Sequence, residues 1–236
     1  MRPGYDQNPL NPIPPVLWIM AAPIIVGEAA FALGRFGFLG GGAQGAGTVL
    51  RQLWVERTAF APELLVSAWQ RGDLFSPQMF RLLTYPFVHY SFSHALFVAV
   101  FLLALGNMVA QSFRPWAVVA LFFASAIGAA LIYTGLSLIL PFRFDPLVGG
   151  YPAVYGMLGG FTWLLWTRLG AQNANRVRAF TLIGVLLLFQ LIFGLAFGAT
   201  GLTWIGDVAG FAVGFLASFA LVPGGFARLR RGVRHR

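Results

Sequence analysis

Long apolar stretches dominate this chain, and short clusters of Arg, Pro, Gly and Asn separate them. A hydrocarbon core about 30 Å thick needs roughly 20 apolar residues per helix, so stretches of this length predict membrane spans. The first runs from Val16 to Leu39 and contains Glu28 and Arg35, seven residues apart on one helical face. That spacing lets both point into a bundle as a structural pair, or lets the arginine reach back to the interface. Gly40 to Gly47 breaks the chain. Thr48 to Phe80, with Trp54, Trp69 and scattered charges, is too polar to span and too apolar to be disordered, which predicts an interfacial element. Five further spans are expected: Pro86 to Ala110, Trp116 to Leu140, Pro152 to Trp166, Ala179 to Phe197, and Thr200 to Val222.

The organising stretch is Val148 to Gly160, VGGYPAVYGMLGG. Proline suits the first turn of a helix, where its missing N–H would have had no partner, and it pushes the preceding residue towards an extended conformation. Tyr151 is therefore expected as the cap and Pro152 as the first helical residue. Gly156 and Gly160, four apart, form a face where another backbone can approach closely. The last span repeats the pattern with Gly206, Gly210 and Gly214. Asp207 lies beside that stripe, so it faces the bundle. There it must be paired, hydrogen-bonded or protonated, as a structural contact or as a functional ionisable group.

Composition narrows the class. Of 236 residues, 58% are hydrophobic and 10% charged, which fits an all-α, polytopic membrane protein. With no cysteine, disulfides, thiolate nucleophiles and cysteine-ligated metals are excluded. His89 and His94, five apart, share no helical face, and with no cysteine beside them no metal or other cofactor is expected. The stretch before Ala95 can instead form an irregular loop dipping into the bundle. Met1 to Pro15 is polar and rich in Pro and Asn, so no cleavable leader is expected.

The net charge of +9 comes from arginine alone, and its placement speaks for topology rather than nucleic acid. With the N-terminus inside, the inner segments hold Arg2, Arg114, Arg168, Arg176, Arg178, Arg228, Arg230, Arg231, Arg234 and Arg236. The outer ones hold Arg51, Arg57, Arg71, Arg81 and Arg143, alongside Glu56, Glu63, Asp73 and Asp145. This bias predicts both termini in the cytoplasm, with residues 1–15 as an N-terminal segment, 16–222 as the membrane domain (48–80 its membrane-associated first loop) and 223–236 as a basic tail touching anionic lipid.

From about Phe80 to Phe219 the chain resembles the rhomboid intramembrane serine proteases. FRLLTYPFVHYSFSHALFV is similar to the family's tryptophan–arginine element followed by HxxxxHxxxN, with Phe80 at the tryptophan position and Arg81, His89 and His94 matching. AVYGMLGG is similar to the helix after the family's GxSG, and DVAGFAVG to the glycine-rich helix carrying the catalytic histidine. The resemblance implies a six-helix rhomboid-like bundle with cytoplasmic termini and a membrane-embedded first loop. It also implies that Tyr151 stands at the nucleophile position, Pro152 at the following glycine and Asp207 at the base. His94 matches the oxyanion-binding histidine, whereas Val98 stands at the oxyanion-binding asparagine.

Acyl transfer needs a hydroxyl activated by an adjacent base and donors aimed at the oxyanion. A tyrosine oxygen lies several ångströms beyond a serine oxygen, and valine donates no hydrogen bond. The expectation is a catalytically inactive rhomboid-like protein of the bacterial inner membrane that binds transmembrane client proteins and membrane lipids, not nucleic acid. A structural latch of Tyr151 and Asp207, with His94 or His89 as third member, is expected in place of the catalytic pair. Two alternatives stay open: an active serine-type endopeptidase with a relocated nucleophile at Ser91 or Ser93, and a transport or proton-relay role for Glu28, Arg35 and Asp207.

Overall fold

The computed structural model describes residues 12–36, 46–73, 75–197 and 201–222; at 190, 191 and 193–197 the description extends to the backbone only. The basic tail at 223–236, Arg2 and most of the glycine-rich break lie outside the described residues. Helices follow one another as α1 (Pro15–Arg35), α2 (Ala46–Thr58), α3 (Pro62–Arg71), a short α4 (Arg81–Thr84), α5 (Phe92–Ala110), α6 (Pro115–Ile139), α7 (Tyr151–Ala171), α8 (Thr181–Phe197) and α9 (Trp204–Leu221). Prolines open α1, α3, α6 and α7 in their first turns, where the ring costs no hydrogen bond. Among the described residues the only strand-like pairing is a bridge between Phe60 and Leu147.

Four of these helices, α1, α5, α6 and α9, are long and apolar enough to cross a membrane. The remaining expected spans are α7, with 21 residues, and α8, with 17. The first half of α7 is enclosed by its neighbours: every residue from Pro152 to Gly160 is buried. A half-helix packed inside protein has no need of a uniformly greasy surface, which explains its glycine-rich composition.

The α7–α9 contact is the most extensive in the molecule. A methyl at Gly210 would collide with the Pro152 carbonyl, one at Gly214 with the Gly156 carbonyl, and one at Gly159 with the Phe211 carbonyl. Gly156 and Gly160 also face α6, against Ser125 and Leu121, while Gly206 faces Leu147 and Pro152. Small residues thus let α7 and α9 meet backbone to backbone and let α6 side chains reach the α7 backbone, the close packing on which helix association in lipid depends.

Several boundaries differ from expectation. Gly150, not Tyr151, caps α7; Tyr151 is its first helical residue and Pro152 its second. α5 begins at Phe92 rather than Pro86, because Tyr85–Phe87 forms a 3-10 turn and Val88–Ser91 an irregular stretch. The Ser91 hydroxyl accepts the His94 N–H at 3.2 Å and so caps the new start. The interfacial element resolves into α2, α3 and a 3-10 turn at Pro77–Phe80.

The expected Glu28–Arg35 pair does not form. Arg35 is exposed, and Glu28 binds Arg51 of α2 instead. The reason lies one turn away: Gly34 and Gly47 meet, with a methyl at Gly34 only 3.1 Å from the Gly47 Cα, so α2 crosses α1 closely enough to bring Arg51 over Glu28.

Candidate functional site at the head of the central helix

Two glycines prepare the head of α7. Gly149 sits at φ +95°, which strongly favours glycine, and its N–H donates to the Tyr85 carbonyl at 2.9 Å. A methyl there would lie 2.6 Å from His94 Nε2 and 3.1 Å from His89 Cδ2. Gly150 donates its N–H to His89 Nε2 at 3.3 Å, and a methyl on it would meet Val98 Cγ1 at 2.7 Å and the Pro86 carbonyl at 2.9 Å. The irregular histidine stretch can therefore press directly against the start of α7. Because His89 Nε2 accepts the Gly150 hydrogen bond, that ring is held neutral with its proton on Nδ1.

Four rings follow one another outward from this contact. His89 meets His94 edge-on, with centroids 4.9 Å apart and planes at 84°. His94 lies flat against Tyr151, at 4.8 Å and 19°. Tyr155, one turn along α7, meets Tyr151 edge-on at 6.5 Å. His89 is fully buried, while His94 and Tyr151 are half-buried. His94 Nε2 is itself shielded from solvent and has no hydrogen-bond partner among the described residues. Val98, one turn after His94, is fully buried and closes the floor beside Gly150.

Asp207 is buried in the first turn of α9, where the helix dipole favours a carboxylate. It lies within electrostatic reach of four phenols: Tyr85, Tyr133, Tyr151 and Tyr155. Two of these donate elsewhere, Tyr85 to the Ala126 carbonyl at 2.8 Å and Tyr133 to the Asp145 carbonyl at 3.0 Å. The sequence marks Tyr151 alone as a site residue; Tyr85 and Tyr155 fall inside the segments that carry the resemblance without being marked by it, and Tyr133 on α6 falls in none.

Arg51 belongs to this region too, although the sequence marks it only as one of the outer arginines. Its guanidinium donates to both Glu28 oxygens at 2.7 Å and to the His89 carbonyl at 3.0 Å, and it covers the Phe31 ring at 4.5 Å. One cation thereby ties α1, α2 and the histidine stretch together. Arg81 does similar work on the first loop, donating to the Glu56 and Ala59 carbonyls at the end of α2.

The structure thus brings Tyr151, His94, His89 and Val98 to one place with Asp207 nearby. It does not bring in Arg35, which is exposed, nor the hydroxyls of Ser91 and Ser93, which are exposed and 3.1 Å apart at the α5 cap. Among the described residues no group of three His, Cys, Asp or Glu is placed to hold a metal.

No curated protein matches the chain. The model of the rhomboid domain matches residues 76–224, well over half of it, and this span contains the histidine stretch, the head of α7 and the whole of α9. With a helical bundle that carries several membrane-crossing helices, the match makes this an integral, multi-pass membrane protein. The chain belongs to the rhomboid family.

Proposed function

We propose that this rhomboid-family protein has no peptidase activity and works by holding transmembrane client proteins within the bilayer. The observation that carries the proposal is the Tyr151 ring lying flat on His94 at the head of α7, where the resemblance places the nucleophile. A ring in that position fills the space a peptide carbonyl would need, and no serine stands there to attack it. Valine at position 98 leaves the oxyanion without one of its donors. The engagement of Ser91 as a helix cap argues against its use as a relocated nucleophile. A transport role gains nothing from Glu28, whose carboxylate is taken up by Arg51.

Client binding is supported by the sides of the bundle. α8 makes its main contact with the 3-10 turn that precedes it (Arg176–Phe180), and Leu188, Phe189 and Ile192 are exposed along it. On α5, Leu96, Phe97 and Val100 are exposed as well. These apolar faces can accept another helix as readily as lipid tails.

The test is reconstitution in liposomes with a transmembrane substrate that active rhomboids cleave. The expected result is an intact substrate that crosslinks to α5 or α8, with no labelling of the protein by a fluorophosphonate. Cleavage that disappears in His94→Ala would overturn the proposal.

A further inference from the structure

The opposite end of the bundle carries a feature unrelated to the α7 head. α5 ends, α6 begins, and α7 ends there, as the antiparallel order of the helices requires; Leu17 of α1 packs on Gly106 near the same level. Between the last turns of α5 and α7 opens a groove of about 410 Å³. Its walls are Met108, Phe161, Leu164 and Leu165, and its rim carries Gln111 and Arg168.

Charge at this end is one-sided. Arg114, Arg168, Arg176 and Arg178 are all exposed there. The described carboxylates lie elsewhere: Glu28 beside the histidine stretch, Glu56, Glu63 and Asp73 in the first loop, Asp145 in the α6–α7 loop, and Asp207 at the head of α9. Arg176 is occupied over the Trp166 ring at 4.7 Å. Arg168 makes no ion pair among the described residues, yet it stands at the mouth of an apolar groove.

An isolated cation above an apolar slot at a membrane surface calls for an anion attached to a hydrocarbon chain. A free phosphate compound would leave the walls uncovered, and an uncharged tail would leave Arg168 without a counter-ion. We propose that this groove is a binding site for an anionic phospholipid. Its headgroup phosphate is held by Arg168 and Gln111, and one acyl chain lies along Met108, Phe161 and Leu164. Basic pockets between membrane helices recognise headgroups by this combination of charge and shape.

The experiment places p-benzoylphenylalanine at Thr167, on the groove wall, in full-length protein reconstituted with phosphatidylcholine and phosphatidylglycerol. Illumination is expected to add the mass of phosphatidylglycerol in preference to phosphatidylcholine. Arg168→Gln should weaken that preference about fivefold, the loss of about 1 kcal/mol for one basic residue near the surface. Arg178→Gln, at the same end but away from the groove, should leave it unchanged. Leu165→Trp, which fills the slot, should abolish the adduct while Arg168 is intact, so the result stands even if Arg168→Gln folds poorly. Displacement of the lipid by glycerol phosphate would make this a soluble-anion site. A crosslink into residues 1–11 or a second copy would make it a protein contact. Either outcome, or equal labelling by both lipids, would overturn the inference.

Discussion

Arg51 and Glu28 meet in a two-pronged ion pair, Nη1 to Oε1 and Nη2 to Oε2 both at 2.7 Å, joining a first-loop helix to the first span. The geometry matters because Nη1 serves twice: its second hydrogen goes to the His89 carbonyl. A planar fork can do this, whereas an ammonium cannot.

Removing either charge alone should therefore hurt more than removing both. Arg51→Met is expected to destabilise by about 2 kcal/mol, less than for a fully enclosed pair because the side chains are 17% and 12% exposed. Glu28→Met should cost a similar amount, and the double variant should recover part of the loss. Thermal unfolding in detergent reads all three, and a double variant as unstable as the sum of the singles would contradict the pairing. Arg51→Lys should fall between, since it keeps the charge and loses the fork.

The glycines should separate sharply by position. Gly210→Ala and Gly214→Ala drive a methyl into the α7 backbone and are expected to destabilise by roughly 1–3 kcal/mol each. Gly149→Ala adds an unfavourable positive φ to a collision with His94 and should be at least as damaging. Gly135→Ala and Gly184→Ala meet nothing within 4 Å and should be neutral or stabilising by up to about 1 kcal/mol. Melting temperatures of the five variants check the ranking, and a uniform response would show that α7 and α9 do not touch.

We hypothesise that a phenol of α7 latches Asp207, with Tyr151 the first candidate and Tyr155, one turn further, the second. A buried carboxyl group and a buried phenol each need a partner. Breaking the latch from one side should cost roughly 1–3 kcal/mol, and Asp207→Asn, which keeps an acceptor, should be milder than Asp207→Leu. Double-mutant cycles pairing Asp207→Leu with Tyr151→Phe and with Tyr155→Phe identify the donor. Strict additivity in both cycles would remove the latch.

The arginine distribution predicts that both termini face the cytoplasm. Reporter domains fused after Arg236 should therefore report the inside. A signal from the far side of the membrane would reverse the bundle and place the phospholipid groove in the other leaflet.

What could be read from the residues follows what each feature depends on. α1, α5, α6 and α9 are each a long apolar run of the length a membrane span needs. The first half of α7 is packed inside the bundle instead, and its glycines mark the close contact that replaces apolar bulk. The start of α5 was placed too early because YPFVHYSF remains apolar across the true boundary. The spacing of Ser91 before His94, a serine accepting from the third helical N–H, was the clue in plain view. Glu28 announced its need for a cation, but the choice of Arg51 over Arg35 depends on two helices crossing at Gly34 and Gly47, a tertiary event that no local spacing encodes. At the site, the histidines and Tyr151 are visible through the resemblance; the phenols within electrostatic reach of Asp207 are not, because they come from two helices and a 3-10 turn and meet a third helix only in the fold.

The bridge between Phe60 and Leu147 has a bearing on how the protein is made. Each residue donates its N–H to the other's carbonyl, at 3.0 and 2.7 Å. Their partners are synthesised far apart, with α5 and α6 emerging from the ribosome in between. Arg81 can fasten the end of α2 almost as soon as it leaves the exit tunnel, since both of its acceptors precede it. The Phe60 backbone, by contrast, must wait for its partner until α5 and α6 have been made. A nascent chain halted after α6 would thus hold a folded first loop with an open seam, and the arrival of Leu147 would close that seam and position the head of α7 in one step.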